Sequence, residues 1–273
     1  MNYIELSIDI PEEKEYVAEI VIAFLAEQSY ESFTETKACL LAYISKDSFD
    51  EKETSMLMQV YGLHYSFKEI EQQNWNKEWE ENYQPIVVKD KLAIKAPFHS
   101  QDFDTEHIVI IEPKMSFGTG HHATTYMMCD LLSEYSLSEA SVLDMGCGTG
   151  VLGIYASLLG ADSIIAIDID EWAYENTIEN AVRNSVNNVT AIRGNVSSIP
   201  QKHFDFILAN INLNILKKDI SQYAKCMSSG SILMLSGFFE TELNQINKVC
   251  SDNGLFFVKS ITRDNWIACE YKM

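Results

Sequence analysis

Basic residues are scarce in this chain: 20 lysines and arginines face 40 aspartates and glutamates, for a formal net charge of −20. A surface so acidic repels phosphate backbones, which argues against a direct grip on DNA or RNA. It suits a basic partner, or serves only to keep the protein in solution. Long apolar runs are missing as well, and with them any expectation of a membrane span. The opening stretch MNYIELSIDIPEEKE is acidic and alternating, not the basic-then-apolar pattern of a signal peptide, so a cytoplasmic protein is expected. The six cysteines (Cys39, Cys129, Cys147, Cys226, Cys250 and Cys269) include no C-x-x-C pair. That pattern argues for reduced, packed thiols over a disulfide frame or a zinc site. What is present is a length of 273 residues, 47% of them hydrophobic, enough for one large or two modest domains. The acid excess is strongest early, with 19 acids against 7 bases in residues 1–90.

Periodicity divides the chain into three parts. YIELSIDI (3–10) alternates as a strand does, and EEKEYVAEIVIAFLAEQS (12–29) carries apolar residues at helical spacing. FTETKACLLAYIS (33–45) reads as one or two strands, KETSMLMQVYG (52–62) as a helix closed by Gly62, and YSFKEIE (65–71) as a strand. That order predicts a small α+β, ferredoxin-like module over 1–71. It carries no paired histidine, cysteine or carboxylate cluster, so binding is its expected use. Residues 72–84 read as a connecting helix with Trp75 and Trp79 on one face, packing against a domain. Residues 85–273 begin with two strand-like stretches, PIVVKDKLAIKAPFH and EHIVIIEP, and from 141 onward alternate short apolar strands with amphipathic helices. This is the α/β rhythm of a doubly wound parallel sheet. LFFVKSIT and NWIACEYK, at the end, lie too close for a helical crossover and pair as an antiparallel hairpin.

The stretch VLDMGCGTGVLG (142–153) holds the main glycine loop, and two readings compete for it. Gly148-x-Gly150-x-x-Gly153 matches the dinucleotide fingerprint, with Asp168 twenty residues on for the ribose. Gly146-x-Gly148-x-Gly150 equally fits a loop that holds S-adenosylmethionine. A dinucleotide sets a pyrophosphate against the helix N-terminus, where Asp144 works against it. The ammonium and sulfonium of S-adenosylmethionine gain from a nearby carboxylate, and Asp168 serves its ribose hydroxyls. With the terminal hairpin added, the methyl donor is the favoured cofactor. Asn195, after the third strand, either meets the adenine edge or occupies a turn with Gly194. Asn210, ending FDFILAN, either faces the transferring methyl and accepts from an incoming amine, or caps the helix that follows, or both. Upstream, MSFGTGHHATT (115–125) reads as a second glycine loop around Gly118, folding over the cofactor with a threonine hydroxyl in contact. Its plainer reading is a turn before a helix capped by Thr124 or Thr125. His121 and His122 diverge as neighbours do and have no third ligand at a sensible spacing, so no metal is expected.

MSFGTGHHATT, VLDMGCGTGVLGIYASLLGA, AIDIDEWAYENTIENAVRN and ILANINLNIL, in this order, resemble the PrmA family, as does the W-x-x-x-W, Y-x-P and I-x-A-P-F linker. The likeness runs from about residue 72 to the end and holds by layout alone over the N-terminal module. It implies a ferredoxin-like substrate-recognition domain joined to a class I methyltransferase domain. It implies methyl transfer from S-adenosylmethionine to lysine side chains and the α-amino group of a basic large-subunit ribosomal protein. The alternative acceptor is another protein, nucleobase or small-molecule amine, and a monomer is expected. By motif match the implied cofactor contacts are Thr125, Gly146, Asp168 and Asn210. The reading of the residues adds Asp144, Gly148, Asn195 and Gly118. The chain departs from the family in His121-His122-Ala123-Thr124-Thr125, where T-H-P-T-T is usual, and in Ile211–Leu213, where small residues and a proline are usual.

Overall fold

A computed structural model describes residues 2–11, 14–35, 39–70, 80, 82–114 and 118–273. The chain divides into two compact units, Met1–Tyr83 and Gln84–Met273. Of the connecting helix expected over 72–84, residues 72–79 and 81, Trp75 and Trp79 among them, lie outside the described residues.

The first unit runs β1 (Tyr3–Asp9), α1 (Glu15–Glu27), β2 (Ser32–Glu35), β3 (Cys39–Ser45), α2 (Glu51–Tyr61), β4 (Tyr65–Ile70). FTETKACLLAYIS thus resolves into two strands. The four strands lie in the order β2-β3-β1-β4, every neighbouring pair antiparallel. A strand always inserts between two that the chain joins through a helix, which makes this a split β-α-β unit. Strict alternation explains the burial: Ile4, Leu6 and Ile8 of β1 and Leu40, Ala42 and Ile44 of β3 point to one face, over Val17, Val21, Leu25 and Met58. Asp50 caps α2 through hydrogen bonds from the Lys52 and Glu53 amides, and Gly62 ends it in the left-handed conformation.

The second unit opens with a three-stranded sheet, β5 (Ile86–Val88), β6 (Leu92–Lys95) and β7 (His107–Ile110). Helix α3 (Ala123–Leu132) follows. Then come β8 (Ser141–Met145), α4 (Val151–Leu158), β9 (Ser163–Asp168), α5 (Glu171–Arg183), β10 (Val189–Arg193) and β11 (Phe204–Asn210). The chain ends through α6 (Leu213–Lys225), β12 (Met227–Phe239), α7 (Leu243–Asp252), β13 (Phe256–Arg263) and β14 (Trp266–Lys272). The seven strands of the large sheet lie in the order β10-β9-β8-β11-β12-β14-β13, and only β14 runs antiparallel to its two neighbours. Asp264 and Asn265, both at positive φ, make the tight turn of the terminal hairpin.

Runs such as ILAN and ILML are apolar on both sides because both faces of the sheet are covered. Val142, Leu208 and Met234 pack with α3 and α4 on one side. Leu143, Ile207 and Leu235 pack with α6 and α7 on the other. From β8 the chain moves out through β9 to β10, then returns to the far side of β8 as β11. The crevice beyond the ends of β8 and β11 is therefore the point where strand order reverses, and ligands bind there in sheets of this kind.

Candidate active site

A cleft of about 460 Å³ opens at that point. Its walls are formed at the ends of four strands, β8, β9, β10 and β11, and the turns after them: Met145–Gly148, Ile167–Asp170, Gly194–Val196 and Asn210–Asn212, with Ile215 and Asp219 of α6. Gly146 shows why this loop needs glycine. Its φ is +70°, and a Cβ there would stand 2.2 Å from Ile211 Cγ2 on the opposite wall. Its amide donates to the Ile167 carbonyl at 2.8 Å, tying the loop to the end of β9.

Asp168 ends β9 on the cleft wall. One oxygen accepts from the Gly148 amide and the other from the Asp170 amide, each at 3.0 Å. Both oxygens are thus fixed in direction, with lone pairs left over for hydroxyl donors.

Asp144 is placed differently from the expectation that it flanks the cofactor. It is 1% exposed and lies beneath the loop, where its Oδ2 accepts from the Gly153 amide in the first turn of α4 at 3.0 Å. Burial pushes its pKa up from 3.8 to about 7, opposed by the Gly153 hydrogen bond and reinforced by the Asp168 charge. The reason is register. Asp144 pairs with Ala166, inside the sheet, so its side chain enters the layer between strand and helix.

Asn195 lines the cleft, yet its Oδ1 accepts from the Ser197 amide and hydroxyl at 2.9 and 2.7 Å, so it also builds the turn. Asn210 sits at the cleft wall opposite Asp168. Its Nδ2 donates to Thr125 Oγ1 at 3.3 Å, and its buried Oδ1 has no hydrogen-bond partner. It does not cap α6. Asn212 does, accepting from the Ile215 amide at 3.2 Å. Thr125 is fully buried within α3 and reaches the cleft through Asn210. Neither Thr124 nor Thr125 caps α3: His122 does, accepting from the Thr124 amide at 3.3 Å. Gly118 is outside the cleft wall and is held by Thr149, whose hydroxyl donates to its carbonyl at 2.7 Å.

No sequence signal marks the aromatic cluster where β12 ends and β14 begins. His122 stacks edge-on against Trp266 at 4.7 Å, and Trp266 lies against Phe239 at 4.2 Å. Asn210 pairs with Ser236 across β11 and β12, so Phe239, three residues on, begins an aromatic wall past the strand end. These three residues lie in separate parts of the sequence, and nothing in a linear pattern links them.

The amides that a pyrophosphate would need are already engaged. Those of Gly148 and Gly153 both donate to carboxylates, and Asp168 adds negative charge at the cleft itself. The pocket therefore fits a cationic ligand bearing ribose hydroxyls better than a diphosphate. The family model described as "Ribosomal protein L11 methyltransferase (PrmA)" matches residues 4–273. The chain belongs to this family. A relative of that description from Phocaeicola vulgatus is 39% identical over the full length of both chains. One from Bacteroides fragilis is 38% identical over 99% of each. Among solved structures, the ribosomal protein L11 methylase of Lactobacillus delbrueckii subsp. bulgaricus aligns with a TM-score of 0.65 at 26% identity, covering 70% of this chain and 98% of its own. The fold is that of a class I methyltransferase, and the cofactor is S-adenosylmethionine. Among the described residues, no helix is long and apolar enough to cross a membrane.

Proposed function

We propose that this protein transfers methyl groups to lysine side chains and to the α-amino group of ribosomal protein L11, with Asn210 as the catalytic residue. The observation that carries this reading is the orphaned Asn210 Oδ1. It is a buried acceptor at the strand-order switch, aimed by Thr125 and unsatisfied until a donor arrives. An incoming amine supplies that donor.

The residues divide the work by place. Asp168 takes the ribose hydroxyls, Gly146 and Gly148 let the backbone close on the ligand, and Asn195 offers its remaining amide protons to the adenine edge. Asp144 and Gly118 support this wall from behind. When bound, S-adenosylmethionine supplies a methyl group already activated on a sulfonium. Catalysis by the chain is then mostly placement and exclusion of water. A lysine amine, with a pKa of about 10.4 in water, must shed its proton before it can attack. Asn210 cannot take that proton, but it orients the neutral amine by accepting a hydrogen bond from it. The wall of His122, Trp266 and Phe239 shields the approach.

The acidic N-terminal unit is the natural face for a basic acceptor, and it is proposed as the substrate-recognition domain of a monomeric, cytoplasmic enzyme that grips no nucleic acid. Its charge draws the partner in, so initial rates should fall about tenfold between low and high salt. Rates flat with ionic strength would remove the steering. The deciding experiment incubates pure protein with labelled S-adenosylmethionine and recombinant L11, followed by intact-mass analysis. Label on L11, with mass gains in steps of one methyl, is the expected result. Cofactor binding without transfer to L11 would point to a different amine acceptor.

A further inference from the structure

Helix α5 carries a row of buried amides that the reaction itself does not use. Asn176 and Asn180 are fully buried, one turn apart on the inner face of the helix. Asn180 is saturated. Its Nδ2 donates to the Thr149 carbonyl at 3.0 Å and to Asn176 Oδ1 at 3.1 Å. Its Oδ1 accepts from the Glu112 amide at 3.0 Å and from an Arg183 nitrogen at 2.8 Å. Arg183 also pairs with the Glu112 carboxylate at 2.9 Å.

The partners matter more than their number. Glu112 lies just past β7, on the segment that leads into the upstream glycine loop. Thr149 belongs to the main glycine loop, next to Gly148 on the cleft wall. Thr149 closes the circuit by donating its hydroxyl to the Gly118 carbonyl at 2.7 Å. The approach is tight, since a Cβ on Gly118 would lie 2.9 Å from that hydroxyl. One amide on a rigid helix thus grips the stem of one loop and the backbone of the other, and a single threonine joins the loops directly. An amide whose only task was to fill space would not need four partners drawn from three segments.

From this geometry we infer that Asn180 is a positioning residue, acting through Thr149 to hold the two glycine loops in register and thereby setting the affinity for S-adenosylmethionine. The inference rests on the cofactor cleft proposed above. Without the tie, each binding event would have to fix the spacing between Gly118 and Thr149 as well as place the ligand.

The test is calorimetric binding of S-adenosylhomocysteine to the full chain. Thr149→Val removes the hydroxyl at nearly constant shape and is expected to weaken binding about tenfold, whereas Thr149→Ser, which restores the donor, should stay within about twofold of the parent. Asn180→Asp keeps an acceptor for Glu112 but sets an oxygen against the Thr149 carbonyl, and should weaken binding about tenfold or more. Combined with Thr149→Val, it should cost no more than Asn180→Asp alone, because both break one circuit. Unchanged affinity in Thr149→Val, or losses that multiply in the double variant, would overturn the inference. Should Asn180→Asp not fold, the valine and serine pair decides the matter alone. A parent protein that fails to bind S-adenosylhomocysteine at all sinks the cleft assignment instead.

Discussion

The ends of β8 and β9 carry the same side chain in neighbouring strands of one sheet and put it to opposite uses. Asp144 pairs with Ala166, and Asp168 lies two residues beyond that partner, roughly 7 Å further along the strand. That shift separates the interior of a layer from the wall of a cleft. Asp144 holds the first turn of α4 from below, out of water, with a pKa raised to about 7. Asp168 faces the cleft with its direction fixed by two backbone amides. Chemical identity and proximity to a glycine loop did not decide their roles. Depth along the strand did.

The sharpest way to break this contrast is to remove the cleft-facing carboxylate. Asp168→Ala should weaken S-adenosylmethionine binding several hundredfold, since two charge-assisted hydrogen bonds are worth about 1.5–3 kcal/mol each. Calorimetry measures this directly, and a loss under tenfold would mean the ribose is held elsewhere. Next in size is the third strand end, across the cleft. Asn210→Ala should lower kcat on the order of a hundredfold while changing cofactor affinity only a few-fold, because its orphaned acceptor serves the amine. Steady-state kinetics with the acceptor varied separates the two effects. Equal losses in kcat and cofactor affinity would make Asn210 a cofactor ligand instead.

Between these walls, Gly146→Ala probes the space itself. The added methyl meets Ile211 Cγ2 and sits at a φ of +70°. The two penalties should together cost about 1–3 kcal/mol of stability and narrow the cleft. Thermal unfolding and calorimetry should both register it, and Ile211→Ala in the same chain should restore part of the binding. No recovery would place the strain in the backbone alone.

Much of this was legible without coordinates, and the exceptions have one cause. Period-two and helical apolar patterns located the strands, the crossover helices and the terminal hairpin, because those patterns are what burial on one or two faces demands. The glycine spacing and Asp168 marked the cofactor loop, since both lie within one β-α-β stretch. Depth, register and long-range pairing were not legible. Thr125 and Asn210 are 85 residues apart and meet only because α3 packs over β11. His122, Trp266 and Phe239 come together because β12 and β14 pair antiparallel, which sets Phe239 opposite Trp266. The capping role expected of Asn210 passed to Asn212 because the strand runs through Asn210 and the helix begins only at Leu213.

Asp144 gives the smallest effect on binding and the clearest one on pH. In the unfolded chain its carboxyl ionises near 3.8, and in the folded protein near 7. Below about pH 4 the group is protonated in both states and imposes no penalty. Between about pH 4 and pH 7 the unfolded state releases a proton that the folded state keeps, so stability falls as pH rises. Above pH 7 both states are ionised and the loss is complete, on the order of 4 kcal/mol for a shift of this size. Asp144→Asn keeps an acceptor for the Gly153 amide and cannot titrate. The variant should therefore gain on the parent in melting temperature as pH goes from 5 to 8, while S-adenosylmethionine affinity changes threefold or less. A variant whose melting curve tracks the parent at both pH values would show that Asp144 does not hold its proton on folding. A variant that loses the cofactor as Asp168→Ala does would erase the difference between the two strand ends.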